Sequence, residues 1–160
     1  SHIVLKMVLH EFAKNQQNSV LNKTFELLED NGMVLVWMPL LKDYDYDFFN
    51  AVIREKDYQA GYLNLSAQRH FCHQKEFVEM AKNSGFSKIN LVFNFEYILD
   101  TQLRFSSEFN NNQNAYTKWL NHINLLYNDL SPSKKNQILF LSLPNRIFMQ
   151  FFRGLYLLKK

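Results

Sequence analysis

Two adjacent side chains, His10 and Glu11, have the types and spacing for acid–base chemistry, and they follow directly on the apolar run Ile3-Val4-Leu5-Lys6-Met7-Val8-Leu9. An imidazole exchanges its proton near neutral pH, so His10 can accept one from a nucleophile, with Glu11 as its catalytic companion. The plainer alternative is a polar pair that starts a helix and packs the turn. Met38-Pro39 closes a second apolar run and is placed to line a substrate pocket, although a strand-ending proline also has structural reasons of its own. Tyr44, Tyr46, Phe48, Phe49 and Tyr58 form an aromatic cluster. Such a cluster can cover an apolar or planar substrate, with Tyr44 and Tyr46 as binding residues, or it can simply pack a core.

Other patterns fail on their own geometry. Asp43-x-Asp45-x-Asp47 imitates the opening of a calcium loop, but Phe48 stands where glycine is needed and Arg54 where glutamate is needed. His70-Phe71-Cys72-His73 has metal-like spacing, yet three crowded ligands without a fourth make a poor tetrahedral site. No metal is expected. His73 is better used as a helix cap, His122 as a partly buried structural histidine, and Cys72 has no visible partner for nucleophilic catalysis.

The elements that must position these residues follow from periodicity. The run Ile3–Leu9 reads as a strand buried on both faces or as the start of a helix. A polar stretch, 14–18, leads into a helix from about Ser19 to Asp30, stopped by Asn31-Gly32. Met33–Met38 then reads as a strand without alternation, so strand, helix and strand make a βαβ unit. Residues 40–65 suggest a short helix with loops. A helix follows over His73–Asn83, with Glu76 in capping-box spacing and Ser84-Gly85-Phe86 as its stop. Ile89–Ile98 predicts a strand, and the asparagine-rich stretch 110–114 predicts a disordered tip. Helices are expected over Ala115–Leu130 and from Ser131-Pro132 to near Pro144, before a last strand over Phe148–Leu158.

Composition sets the outer bounds. The chain has 160 residues, 47% of them hydrophobic and 16% aromatic, which suits one domain with a real core. Eighteen basic against 15 acidic residues leave +3, too mild a balance for a phosphate-tracking surface, so no nucleic-acid partner is expected. One cysteine excludes an intrachain disulfide framework and suits a reducing, cytoplasmic setting. No stretch approaches the ~20 apolar residues of a membrane span, and the first residues do not read as a signal peptide.

Three stretches resemble the C-terminal half of the class I S-adenosylmethionine-dependent methyltransferases. Ile3 through Phe12 resembles that family's fourth strand and its ending. Val20-Leu21 through Phe25-Glu26-Leu27-Leu28 to Asn31-Gly32-Met33-Val34-Leu35-Val36 is similar to the helix and fifth strand. Phe71–Phe86, with Glu76-Phe77 and Ser84-Gly85-Phe86, matches the next helix, and Leu155–Lys160 resembles the terminal strand. The glycine-rich first turn of the family and the acidic residue ending its second strand have no counterpart in these residues.

The resemblance implies an α/β fold: a partial doubly wound, Rossmann-like sheet of parallel strands plus a C-terminal antiparallel strand, with helices on both faces. Of the family order 3-2-1-4-5-7-6 this chain would supply 4, 5, 7 and 6. It implies a single domain over 1–160, with a helical insertion over 100–145 before the last strand. It implies methyl transfer to an unidentified small-molecule acceptor, catalysis by His10 and Glu11, cofactor contacts from Met7 and Leu9, and acceptor contacts from Met38, Pro39, Tyr44 and Tyr46. S-adenosylmethionine would bind only together with the glycine-turn half. The alternative is a non-catalytic methyltransferase-like interaction module or a membrane-surface domain using the apolar and basic segment 148–160. In the family order the strand Ile3–Val8 would lack its strand-one neighbour here, so a homodimer or swapped dimer through it is a further expectation.

Overall fold

A computed structural model describes every residue from Ser1 to Lys160. In chain order the elements are β1 (His2–Lys6), a 3-10 turn (Leu9–Glu11), α1 (Lys14–Leu27), β2 (Met33–Pro39), α2 (Tyr46–Gln59), α3 (Leu63–Gln68), α4 (Gln74–Asn83) and β3 (Lys88–Asp100). Then come α5 (Gln102–Ser107), α6 (Gln113–Asn128), α7 (Pro132–Lys135), β4 (Phe140–Leu143) and β5 (Arg146–Lys159). The strand order is β1-β2-β5-β3, with β4 pairing β5. β1 and β2 run parallel, and β2 and β5 antiparallel. This is the order 4-5-7-6 that the resemblance implied. No helix is long and apolar enough to cross a membrane.

The chain groups into two compact units. One comprises Ser1–Lys42, Arg69–Glu96 and Phe152–Lys160; the other comprises Asp43–Gln68 and Tyr97–Phe151.

In the first unit, alternation along the strands decides what is buried. The register pairs Ile3 with Val34 and Leu5 with Val36, and on β5 Leu158 lies opposite Val34 and Tyr156 opposite Val36. These side chains share one face and pack against Leu21 of α1 and Phe77, Met80 and Ala81 of α4. The opposite face is open: Val4 is 63% exposed and Phe93 59%. The first strand is therefore not buried on both faces as its composition suggested. Its strand geometry also stops at Lys6, because Met7 takes a left-handed φ of 51°.

The helix expected from Ser19 begins earlier, at Lys14, and ends at Leu27. The polar residues 14–18 are its first turn, and the Gln16 side chain accepts the Ala13 N–H at 3.1 Å. Gly85, at φ +103°, ends α4 in a conformation that L side chains rarely adopt, and a Cβ there would stand 2.8 Å from Phe25 Cζ. His73 holds the N-cap position of α4, but its side chain makes no cap hydrogen bond. Glu76 is turned to Lys14 and His70 instead of a capping box.

The second unit holds the largest corrections. Where one short helix is expected over residues 40–65, the structure has α2 of 14 residues and the start of α3, a helix of 6 that runs on to Gln68. Asp45, in the middle of the aspartate triplet, is buried at the N-cap of α2. The stretch 110–114 forms a defined turn, since Asn110 and Asn111 adopt left-handed φ values of 49° and 60° that asparagine tolerates. Asn112 then caps α6 by accepting from Ala115 N at 3.1 Å. The helix expected from Ser131 to near Pro144 is a single turn. Phe140–Leu143 is a strand because β5 pairs with it, matching Phe140 to Met149 and Leu143 to Arg146.

Trp119 and Val52 lie at the centre of this unit. The indole is fully buried and donates from Nε1 to the Val52 carbonyl at 2.9 Å. β5 begins at Arg146, whose guanidinium donates to both Asp100 oxygens at 2.9 and 2.6 Å. The apolar side chains Ile147, Met149, Phe151, Tyr156 and Leu158 of β5 are buried within the fold, which leaves them unavailable to a membrane surface.

Candidate functional site

The site is built where β1 stops. Met7 still donates its N–H to the Trp37 carbonyl at 2.8 Å, so it remains in the parallel ladder while its φ of 51° turns the chain out of the sheet. A left-handed non-glycine residue costs of order 1 kcal/mol or more and persists only where its surroundings enforce it. Leu9, sealed into the core cluster, anchors the 3-10 turn that follows and presents His10 and Glu11 beside it.

His10 is 8% exposed and stacks on Phe71, with ring centroids 4.9 Å apart and planes 18° apart. Its Nε2 stands 3.3 Å from Glu11 Oε1. The same carboxylate accepts from Arg69 Nη2 at 2.7 Å. The hydrogen bond from His10, reinforced by Arg69 and only partly opposed by burial, holds the Glu11 carboxyl down at about 2. Glu11 is thus a carboxylate throughout the range in which an imidazole works.

A buried amide fastens the turn from behind. Gln17, in the first turns of α1, donates from Nε2 to the Phe12 carbonyl at 3.1 Å and to the His70 carbonyl at 2.6 Å. The His70 N–H returns a bond to the His10 carbonyl at 3.2 Å. His70 Nε2 lies 3.2 Å from Glu76, which also meets Lys14 Nζ at 2.5 Å. Burial alone would raise the Glu76 carboxyl, but Lys14 and His70 hold it below its usual range.

Between these parts lies a tight crevice in which no gap is wide enough for a water molecule. Leu9, His10, Met38 and Pro39 line one part of it, and Gln17, His70, Phe71 and Cys72 the rest. The structure therefore brings together four of the residues expected at the site, Leu9, His10, Met38 and Pro39, with Glu11 beside His10. Tyr44 and Tyr46 belong to the second unit. Gln17, Arg69 and Phe71 were not legible as site residues. Two buried polar atoms in the crevice lining, His10 Nδ1 and Gln17 Oε1, have no hydrogen-bond partner. Each such atom costs about 1–3 kcal/mol.

Cys72 is buried and held in its thiol form. Burial, with the nearby Glu76 charge, pushes its thiol up to about 12. His70 is engaged by Glu76, and no cluster of His, Cys, Asp or Glu side chains has the form of a metal site.

No family model and no curated protein sequence matches this chain. Solved structures do. A candidate methyltransferase of Bacillus halodurans superposes with a TM-score of 0.75 at 13% identity, over 99% of this chain and 63% of its own. The YcgJ protein of Bacillus subtilis superposes with a TM-score of 0.76 at 12% identity, over 99% of this chain and 63% of its own. The fold is that of the class I methyltransferases, and the chain spans 63% of the length of both structures.

In that fold S-adenosylmethionine lies across strand ends held by a glycine-rich turn. The residues present do not form that cradle. Of the four glycines, Gly32 precedes β2, Gly61 separates α2 from α3, Gly85 follows α4 and Gly154 lies inside β5, so none sits between a strand end and a following helix. Of the two residues expected to contact it, Met7 has its amide taken by Trp37 and Leu9 is buried.

Proposed function

We propose that this chain is the acceptor-side part of an S-adenosylmethionine-dependent methyltransferase acting on a small molecule. The observation that carries the reading is His10 Nδ1. It is buried and unpartnered, on a ring fixed by Glu11 and Phe71 beside the carboxyl ends of β1 and β2. Doubly wound sheets place their ligands at that edge. There His10 receives the proton that an acceptor loses, Glu11 and Arg69 orient the ring, and Met38 and Pro39 give the acceptor an apolar wall. The chemistry of the methyl donor itself belongs to groups outside these residues. A cytoplasmic setting suits a chain whose single cysteine is buried and free.

The test uses the longest natural protein that carries this segment, with labelled methyl donor and a panel of small alcohols, amines and thiols. Transfer of label is expected, and His10→Ala should lower kcat more than it weakens donor binding. No transfer to any acceptor, or an unchanged kcat in the variant, would overturn the reading.

A further inference from the structure

We infer that the crevice recognises a nitrogen carrying two hydrogens, so that the acceptor is an amine; this rests on the proposal that the acceptor's reacting group sits beside His10. The argument starts from the two unpartnered atoms. Gln17 is fully buried, and one end of its amide faces the carbonyl oxygens of Phe12 and His70. Carbonyls only accept, so that end is the NH₂ group, and the end without a partner is the acceptor Oε1.

The same logic fixes His10. Its Nε2 faces Glu11, a carboxylate that can only accept, so in the neutral ring Nε2 carries the hydrogen. The unpartnered Nδ1 is then a bare acceptor as well. Both atoms belong to side chains that line one crevice. Its other polar lining groups do not answer them: His70 Nε2 is held by Glu76, and the Cys72 thiol is a weak donor.

The side chains lining the crevice thus include two acceptors without a donor. A hydroxyl has one hydrogen and satisfies one of them. A thiol donates weakly. An –NH₂ group satisfies both, one hydrogen on Gln17 Oε1 and the other on His10 Nδ1. The crevice has no gap wide enough even for a water molecule, so it takes at most a functional group and leaves the rest of the molecule outside. Because no gap now admits water, the Phe71 ring, stacked on His10, must turn aside for the group to come in.

Aniline, phenol and toluene test this, being nearly isosteric and carrying two, one and no such hydrogens. Equilibrium dialysis against the purified protein should rank them in that order, with a step of roughly three- to tenfold for each hydrogen bond. His10→Phe, which keeps a ring to stack on Phe71, should remove one step from aniline and leave toluene unchanged. Imidazole ¹⁵N spectra should show His10 protonated at Nε2, and aniline should move the Nδ1 signal. Toluene binding as tightly as aniline, no binding by any of the three at millimolar concentration, or a His10 protonated at Nδ1 would each overturn the inference. A full-length protein that methylates alcohols or thiols but no amine would overturn it while leaving methyl transfer standing. The expected ranking in a protein that transfers no methyl group would overturn the proposed function and leave the amine site.

Discussion

Arg69 reaches across 58 residues of sequence to donate to Glu11 at 2.7 Å, and the carboxylate it holds is the one that faces His10 Nε2 at 3.3 Å. One acidic side chain thus ties the turn after β1 to the segment that leads into α4 and also faces the histidine ring.

That tie has a pH signature. The folded Glu11 carboxyl titrates at about 2, below its ordinary value of 4.5. Its contribution to stability is therefore complete above 4.5 and is lost as the pH falls toward 2. Glu11→Gln should lower the urea midpoint at pH 6, and its curve should meet that of the unaltered chain near pH 2. Midpoints that differ equally at both pH values would show that the charge is not what matters.

Two glycines separate strain from crowding. Gly61 and Gly85 both have left-handed φ, 87° and 103°, but a Cβ at Gly61 meets nothing within 4 Å while one at Gly85 collides with Phe25. Gly61→Ala should cost only the backbone penalty, about 1 kcal/mol. Gly85→Ala adds a steric clash and should cost roughly 2–4 kcal/mol. Denaturant unfolding of the two variants gives the comparison directly.

In the second unit, Trp119→Phe removes the indole's hydrogen bond to the Val52 carbonyl and leaves a void where a fully buried indole sat. A loss of about 1–3 kcal/mol is expected, combining a lost hydrogen bond to a carbonyl that keeps its helical donor with a partly unfilled space. Urea titration followed by circular dichroism measures it.

The free edge of β1 gives a prediction for residues 1–160 taken alone. Met7 donates to Trp37 and the Ser1 carbonyl accepts from Met33, so the odd-numbered peptide groups face β2 and those of His2, Val4 and Lys6 face outward. We propose that two copies pair antiparallel along this edge, with Val4 on the twofold axis. Light scattering at rising concentration should show association. Val4→Pro should abolish it without breaking the β2 ladder, since the hydrogen removed points outward. Undiminished association in that variant would place the contact elsewhere.

These 160 residues should also fail to bind S-adenosylmethionine tightly, because none of their glycines forms the turn that would cradle it. Saturable micromolar binding in calorimetry would show that a different set of groups holds the cofactor.

Much of the fold was legible in the residues themselves. The apolar runs at Ile3 and Met33, the helix between them and the glycine stops define a parallel pair, and their order against the last strand follows from a familiar sheet. Pairing partners also explain the misreadings. Leu139 and Leu141 fit a helix as well as a strand until β5 lies alongside and matches Leu141 to Phe148. Asn110–Asn112 look disordered by composition, yet a left-handed turn and a helix cap are uses that single-residue propensity does not distinguish from disorder.

The site divides the same way. His10, Glu11, Met38 and Pro39 were visible because strand ends are marked by local sequence, and a sheet gathers its strand ends at one edge. Gln17, Arg69 and Phe71 were not. Gln17 bonds to His70 across 53 residues and Arg69 to Glu11 across 58, and no local pattern encodes which distant carbonyl or carboxylate will lie opposite. By itself the sequence determined which groups could do chemistry and on which elements they stand. Only the tertiary structure decided which polar atoms were matched and which were left over, because hydrogen-bond satisfaction in a buried place depends on every neighbour the chain folds against it.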